Sequence, residues 1–341
     1  MRVNVVVENK IPFIKGLLED YCNVKYLAPE DITAETMSQA DALITRTRTR
    51  CDASLLAGSQ CRFIATATIG TDHIDLDYCR RNGITVSNAP GCNAPAVAQY
   101  VMASILHWRR MRNDSRPLQS LTLGIVGVGH VGSIVEQWAR QLGMKVLLCD
   151  PPRQKVECTN KFVSLSTIAQ GSDIITFHTP LTRSGEYATY HMCDRSFIDN
   201  VNPETLIINS ARGSIINTHD IIEALDNRLI ADVVIDCWEN EPHLSAELLS
   251  RAVIATPHIA GYSREGKIRA TAMAVNAFTR FFGLPLVEMA EHVKPGAAQC
   301  VTESAILESY NPFIDTASLK RDASAFEALR NNYNYRSEVA G

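Results

Sequence analysis

Three observations predict an α/β protein built from two doubly wound parallel-sheet domains with a short C-terminal appendage. Short β-branched runs alternate with helical periodicities, the pattern of βαβ units. The alternation comes as two series, one ending at Ser87 and the other opening at Leu121. A chain of 341 residues also accommodates two domains of about 100–200 residues each.

In the first series the expected strands are Asn4–Val7, Val24–Leu27, Ala42–Thr45, Phe63–Ala67 and Ile84–Ser87. Helical spacing covers Pro12–Asp20, Ala34–Ala40 and Ile74–Asn82, the last stopped by Gly83. Ala94–Met111 then reads as a long helix, closed by the polar linker Asn113-Asp114-Ser115-Arg116-Pro117. The second series predicts strands Leu121–Val126, Lys145–Cys149, Ile174–Phe177, Leu206–Asn209, Val233–Asp236 and Val253–Thr256, with a helix over Val131–Leu142. Arg264–Phe282 is a second long helix, and the two long helices return the chain to the first domain. The polar remainder forms the appendage, in which Ser324-Ala325-Phe326-Glu327 reads as a capping box opening a helix through Asn332.

Hydrophobic residues make up 46% and charged residues 21%, a globular composition. A net charge of −4 offers no broad cationic field, which argues against a nucleic-acid partner. Apolar stretches such as Leu123–Val128 and Val146–Cys149 fall far short of the ~20 residues that span a bilayer. Glu8 interrupts the apolar N-terminus too early for a secretory segment, so a cytoplasmic protein with no membrane partner is expected. None of the ten cysteines has C-x-x-C spacing and the nine histidines show no zinc-ligand pattern. Thiols in a reducing compartment are expected, and no metal.

The most informative stretch is Leu123-Gly124-Ile125-Val126-Gly127-Val128-Gly129-His130-Val131-Gly132. It follows an apolar strand, precedes a helical run, and is succeeded by a second strand ending in Asp150, 18 residues beyond Gly132. That is the context of a dinucleotide fingerprint. Gly127 permits the tight turn, Gly129 lets the backbone approach a pyrophosphate, and Gly132 allows close helix–strand packing. The helix start at His130 and Val131 offers N–H donors to the phosphates. Asp150 would accept from the ribose hydroxyls and repel a 2′-phosphate, favouring NAD over NADP; Arg153 nearby pulls the other way. The domains are accordingly expected to be Rossmann- or flavodoxin-like, with an active-site cleft between them.

Four later segments place polar residues at the carboxyl ends of expected strands, where open α/β sheets bind ligands. They are His178-Thr179-Pro180, Ser210-Ala211-Arg212-Gly213, Asp236 to Pro242, and Thr256 to Tyr262. An Arg, a Glu and a His drawn towards one nicotinamide suit hydride transfer. His258 is the candidate base, since imidazole titrates near neutrality. Glu241 would orient it and stabilise the imidazolium. Arg212 would hold a substrate carboxylate bidentately. Asp236 and Ser210 are placed to position the nicotinamide and its ribose. In Thr45-Arg46-Thr47-Arg48-Thr49-Arg50, alternation along a strand end would bring guanidiniums together on a phosphate dianion, Arg46 foremost.

Gly127–Gly132 with Asp150, Ser210-Ala211-Arg212-Gly213, Glu241-Pro242 and Pro257-His258 resemble the D-isomer-specific 2-hydroxyacid dehydrogenases. Ala67 to His73, Asn88 to Ala94, Cys149 to Arg153 and His258 to Lys267 narrow the resemblance to a branch acting on a phosphorylated substrate. The resemblance covers roughly residues 1–285. It implies a homodimer that oxidises 4-phospho-D-erythronate to 2-oxo-3-hydroxy-4-phosphobutanoate with NAD, in pyridoxal 5′-phosphate synthesis. It implies Arg212, Glu241 and His258 as catalytic. Asp150, Thr179, Ser210, Ala211, Arg212, Asp236 and Gly261 would contact NAD, and Thr47, Thr68 and Tyr262 the substrate. Thr47 stands where the family has Ser, keeping the hydroxyl. The implied domains are 1–93 with 259–288 for substrate, 94–258 for NAD with 94–112 as linking helix, and 289–341 as a shortened dimerisation segment. Two rivals remain: another D-2-hydroxyacid dehydrogenase, acting on 3-phosphoglycerate or a simple 2-hydroxy acid, and an NAD(H)-sensing corepressor that kept the fold.

Overall fold

In a computed structural model, which describes residues 2–287 and 300–339, the chain forms two compact units. Unit 1 comprises Met1–Asn93 and Arg264–Ala297; unit 2 comprises Ala94–Ser263 and Ala298–Gly341.

Among its described residues unit 1 holds five strands, β1 (Val3–Glu8), β2 (Cys22–Leu27), β3 (Ala42–Thr45), β4 (Phe63–Thr66) and β5 (Thr85–Ser87). They are all parallel, in the order β2-β1-β3-β4-β5. Alternate side chains enter different cores. Val5, Val7, Ile44, Phe63 and Ala65 pack with Ala270, Ala274 and Phe278 of the helix Arg264–Phe282. Val6, Leu43 and Ile64 pack with Met37, Leu55 and Cys79 from the short helices Ala34–Met37, Ala53–Leu56 and Leu76–Arg81. Burial on both faces explains why these strands read as continuous apolar runs.

The helix expected over Pro12–Asp20 is replaced by turns. Ile11, Ile14 and Leu18 are buried, so the helix-like spacing is real, but Phe13 (φ 62°) and Gly16 (φ 87°) adopt left-handed backbone. Glu19 stabilises the alternative by accepting from Gly16 N (2.9 Å), Leu18 N (3.0 Å) and the Tyr26 hydroxyl (2.7 Å).

Among its described residues unit 2 holds six parallel strands, β6 (Thr122–Val126), β7 (Lys145–Cys149), β8 (Ile174–Phe177), β9 (Leu206–Asn209), β10 (Asp232–Ile235) and β11 (Ile254–Ala255). Their order is β11-β10-β9-β8-β6-β7. The chain runs from β6 to β7 on one side and then crosses to β8 on the other. The strand order therefore reverses beside β6, and the glycine turn follows that strand. The buried helix Ala94–Met111 packs on the helix His130–Gln141 and on a C-terminal helix, Glu303–Ser309.

Of the segment 289–341 expected as an appendage, residues 289–299 and 340–341 lie outside the described residues; the described part, 300–339, belongs to unit 2, whose core takes in Val301, Ile306, Leu319 and Phe326. The helix Pro312–Arg321 covers the edge strand β11, and Thr316 Oγ1 accepts from Ala255 N at 3.0 Å. Such cover removes an exposed sheet edge. The capping box expected at Ser324 is also displaced: Asp322 caps a 3₁₀ turn by accepting from Ser324 N (2.9 Å), and the helix proper is Phe326–Asn331. Residues 259–263 likewise fall in unit 2 rather than with the first unit.

Candidate active site

At the carboxyl end of β6, Gly127 takes φ 87°, and a Cβ there would stand 2.8 Å from the His178 carbonyl carbon. A Cβ on Gly132 would overlap the Gly127 carbonyl oxygen, so the helix start can lie on the turn only through glycine. Gly129 is different: nothing lies within 4 Å of its Cβ position, and it begins the helix His130–Gln141 without a side-chain cap. The first-turn N–H groups at His130 and Val131 thus face a helix N-terminus that lacks an internal acceptor.

Asp150 directly follows β7. Its Oδ2 accepts from Val128 N (2.8 Å) and its Oδ1 from Arg153 N (3.1 Å), tying the glycine turn to the helix Pro151–Glu157. A carboxylate has about four acceptor positions, so capacity for ribose hydroxyls remains. Arg153 is engaged by Glu157 (2.6 Å) and by the Val128 carbonyl. After β8, Thr179 Oγ1 lies 3.9 Å from Met192 Sδ. Burial pushes the pKa of neighbouring His178 down to about 3, so it is a neutral ring beside Thr176 Oγ1 (3.0 Å).

After β9, Asn209 fixes the loop by accepting from Ala211 N (3.1 Å) and donating to the Arg212 carbonyl (2.9 Å). Ser210 Oγ is buried with no hydrogen-bond partner among the described residues. Arg212 Nη1 donates to the Ala211 carbonyl at 2.8 Å. A Cβ on Gly213 would overlap the Trp238 carbonyl, which locks this loop against the one after β10.

In that loop Glu241 Oε1 accepts from Trp238 N (2.8 Å), and its Oε2 meets His258 Nδ1 at 2.8 Å. His258 follows β11 with φ 55°, a left-handed conformation held by bonds from its N–H to the carbonyls of Asp236 (2.9 Å) and Thr256 (3.0 Å). Strain of this kind clusters at functional sites. Burial opposes the charge on His258, but the Cys237 and Glu241 groups against it outweigh burial and hold its pKa well above the ordinary histidine range. Burial would raise Glu241 in turn, but the His258 and Trp238 bonds and the nearby Arg330 charge lower it.

Asp236 is 1% exposed. It accepts from Thr256 Oγ1 (2.7 Å), Ile259 N (2.8 Å) and Ala260 N (3.0 Å). Burial pushes its pKa up against those bonds. Its observed partners therefore shape the turn that carries His258 and leads to Gly261. Tyr262 stands edge-on to Tyr333 and Tyr335, at 6.0 and 6.2 Å between ring centroids.

Sequence reasoning missed Arg336. Its guanidinium donates to the carbonyls of Ile259 (3.1 Å), Ala260 and Ala96 (3.1 Å) and to Gln99 Oε1 (3.2 Å). It also lies over the Tyr310 ring at 4.4 Å. Gln99 in turn donates to the Ser337 carbonyl (3.1 Å), and Ser263 Oγ to Glu338 (2.7 Å). Nothing local in the sequence marks an Arg whose partners are distant carbonyls.

In unit 1 the strand β3 stops at Thr45, so the alternation expected along Arg46, Arg48 and Arg50 does not continue. Buried Glu8 instead shapes the segment, accepting from Thr45 Oγ1 (3.0 Å), Arg46 N (2.9 Å) and Thr49 Oγ1 (3.3 Å). Arg46 Nη1 donates to the Lys10 carbonyl (2.9 Å), Arg50 pairs with Asp52 (2.6 Å), and Thr47 is exposed. Thr68 Oγ1 bonds Thr66 Oγ1 (2.7 Å) and the Gly70 carbonyl (3.1 Å).

Residues 93–260 match the model of the D-isomer specific 2-hydroxyacid dehydrogenase NAD binding domain. A relative from Bacteroides thetaiotaomicron named erythronate-4-phosphate dehydrogenase is 45% identical over 98% of this chain and 97% of its own length. One of the same name from Porphyromonas gingivalis is 37% identical over 99% of this chain and 94% of its own. Among solved structures, D-lactate dehydrogenase from Aquifex aeolicus, complexed with NAD and lactic acid, aligns with TM-score 0.68 at 25% identity, covering 82% of this chain and 95% of that one. NAD⁺-bound 3-phosphoglycerate dehydrogenase of Entamoeba histolytica gives 0.70 at 26% identity, covering 87% and 99%. The glycine cradle, the open helix start at Gly129 and the orphaned Ser210 hydroxyl fit the dinucleotide that this likeness brings. The chain belongs to the D-isomer-specific 2-hydroxyacid dehydrogenase family and carries its NAD-binding domain.

Proposed function

We propose that this chain oxidises the 2-hydroxyl of 4-phospho-D-erythronate to 2-oxo-3-hydroxy-4-phosphobutanoate with NAD, serving pyridoxal 5′-phosphate synthesis. The observation that carries the reading is the 2.8 Å bond between Glu241 Oε2 and His258 Nδ1, in the unit that also holds the glycine cradle. The specific substrate is supported by the names of the relatives that align over nearly their whole length.

With Nδ1 paired to Glu241, Nε2 of His258 is the nitrogen that takes the hydroxyl proton. Bound NAD supplies the hydride acceptor. Glu241 orients the ring and stabilises the imidazolium once the proton has moved. Arg212 holds the substrate carboxylate and polarises the adjoining carbonyl in the reverse direction. Gly127, Gly129, His130, Val131 and Gly132 hold the pyrophosphate, and Asp150 the adenosine ribose. Thr179, Ser210, Ala211, Asp236 and Gly261 complete the cofactor contacts. Arg46, Thr47, Thr68 and Tyr262 are the proposed substrate contacts, Arg46 for the phosphate. No helix among the described residues is long and apolar enough to cross a membrane. The proposed setting is a cytoplasmic homodimer.

Single-turnover NADH formation with 4-phospho-D-erythronate, 3-phosphoglycerate and D-lactate tests the reading. Selective reduction with the four-carbon phosphate is the expected result. Preference for another acid would keep the mechanism and overturn the substrate. Intact NAD binding with no reduction by any acid would favour the corepressor-like sensor.

A further inference from the structure

The pair Glu241 and His258, proposed for proton transfer, forms a donor set with a third side chain that the reaction does not use. Cys237 Sγ, a Glu241 carboxylate oxygen and a His258 ring nitrogen all lie within 4.8 Å of one another. They come from two loops, after β10 and β11, so no sequence spacing announces them. Zinc bound by sulfur at about 2.3 Å and by nitrogen or oxygen at about 2.0–2.2 Å would bring neighbouring donors to roughly 3.3–3.7 Å. Small side-chain rotations suffice to close that difference.

We propose that Cys237, Glu241 and His258 form an inhibitory binding site for a thiophilic divalent cation, zinc foremost. The backbone around the donors is already braced. Asn240 (φ 59°) and His258 (φ 55°) hold their loops in left-handed turns, and Glu241 Oε1 is fixed by Trp238 N; Oε2 meets His258 Nδ1 (2.8 Å) and Cys237 Sγ donates to the Ala211 carbonyl (3.5 Å), contacts that a metal would replace. Cys237 is buried at 1% exposure, whereas the side chains of His258 and Glu241 are 32% and 21% exposed, giving the ion a way in. A thiolate, a carboxylate and a neutral imidazole cancel the charge of Zn²⁺, the favourable case for a poorly solvated ion. Three protein ligands with a fourth position open to water is an arrangement zinc accepts. On binding, the Cys237 S–H bond breaks and the sulfur pair forms the bond to zinc; the N–H bond of the ligating His258 nitrogen breaks likewise when the ring starts as imidazolium, and each released proton leaves to solvent. A metal on Nδ1 breaks the Glu241–His258 bond and confines the ring proton to Nε2. A metal on Nε2 occupies the base itself. Either way proton abstraction stops.

The inhibition rests on the proposed role of the Glu241–His258 pair; the binding does not. The test uses reduced, chelator-treated full-length protein carrying Cys158→Ser and Cys300→Ser, because those two thiols are exposed. Co²⁺ is titrated in as a spectroscopic probe, and Zn²⁺ is then added in competition. The expected result is one thiolate-to-cobalt charge-transfer band per chain, abolished by Zn²⁺, with parallel, chelator-reversible loss of NADH formation. Cys237→Val should remove the band and weaken zinc inhibition at least ~100-fold, judged against the variant's own metal-free rate, because this thiol lies against His258 and its loss also acts on the base. Cys237→Ser serves as the second variant should Val disturb folding. The trio His219, Asp220 and Glu223 holds no sulfur and contributes no such band. A parent protein without the band, or a band that survives in Cys237→Val, overturns the proposal. A band in protein that turns over no hydroxy acid would leave the metal site standing and remove the dehydrogenase reading.

Discussion

Asp236 and Arg336 grip the same two residues: the carboxylate accepts the N–H groups of Ile259 and Ala260, and the guanidinium donates to their carbonyls. This turn begins at His258, so its rigidity sets where the imidazole stands. Arg336 is accordingly a positioning residue. Arg336→Met should lower kcat by about 100-fold, the scale of an ångström-sized misplacement. NADH affinity should be unchanged, and added guanidinium ion should restore part of the rate. Unchanged kcat, or loss of NADH binding in step with kcat, would remove the positioning role.

The raised pKa of His258 gives the reaction a direction in pH. Oxidation needs the neutral ring, so kcat/KM for oxidation should rise with pH through that raised pKa. Reduction of the 2-oxo acid needs the proton and should fall across the same range. Glu241→Gln removes one of the two groups that raise the pKa, leaving Cys237 alone against burial, so the acidic limb of the oxidation profile should move to lower pH while the plateau drops about 100-fold or more. A limb that stays in place would assign the titration to another group.

Much of the sheet architecture is legible in the chain. Ala42–Thr45, Lys145–Cys149, Ile174–Phe177 and Leu206–Asn209 are strands with the limits their apolar runs suggest, as are the helices Ala94–Met111 and Arg264–Phe282. Those runs are bounded by polar residues and buried by their own periodicity. Pro12–Asp20 misleads because Ile11, Ile14 and Leu18 can be buried by a helix or by turns, and Glu19 decides for turns. The C-terminal helices escape notice because Ile306, Leu319 and Phe326 are scattered, each meaningful only against a distant wall of unit 2. The same contrast holds in the site. A glycine cradle is encoded locally by backbone conformation, whereas Glu8 and Arg336 act through partners dozens to hundreds of residues away.

Asp150 bears two duties that one variant can separate. It holds Val128 N at 2.8 Å and is the proposed ribose acceptor. Asp150→Ala should cut the preference for NAD over NADP by at least about tenfold, since the charge that repels a 2′-phosphate is gone. It should weaken both cofactors as the glycine turn loosens. Asp150→Asn keeps an acceptor for Val128 and should relax the preference with a smaller loss of affinity. Ratios of kcat/KM for the two cofactors decide the matter, and an unaltered ratio would take Asp150 out of ribose recognition.

Ser210 offers a test that divides ligand binding from folding. Its Oγ is buried with no hydrogen-bond partner among the described residues, a state that costs about 1–3 kcal/mol when no bond compensates. If the hydroxyl is kept for NAD, Ser210→Ala should leave the Tm of the ligand-free protein unchanged or slightly higher. The same variant should bind NAD about tenfold more weakly, the equivalent of about 1.4 kcal/mol. Thermal unfolding with and without NAD measures both effects on one sample. A fall in ligand-free Tm with unchanged NAD affinity would mean that the hydroxyl supports the fold rather than the cofactor.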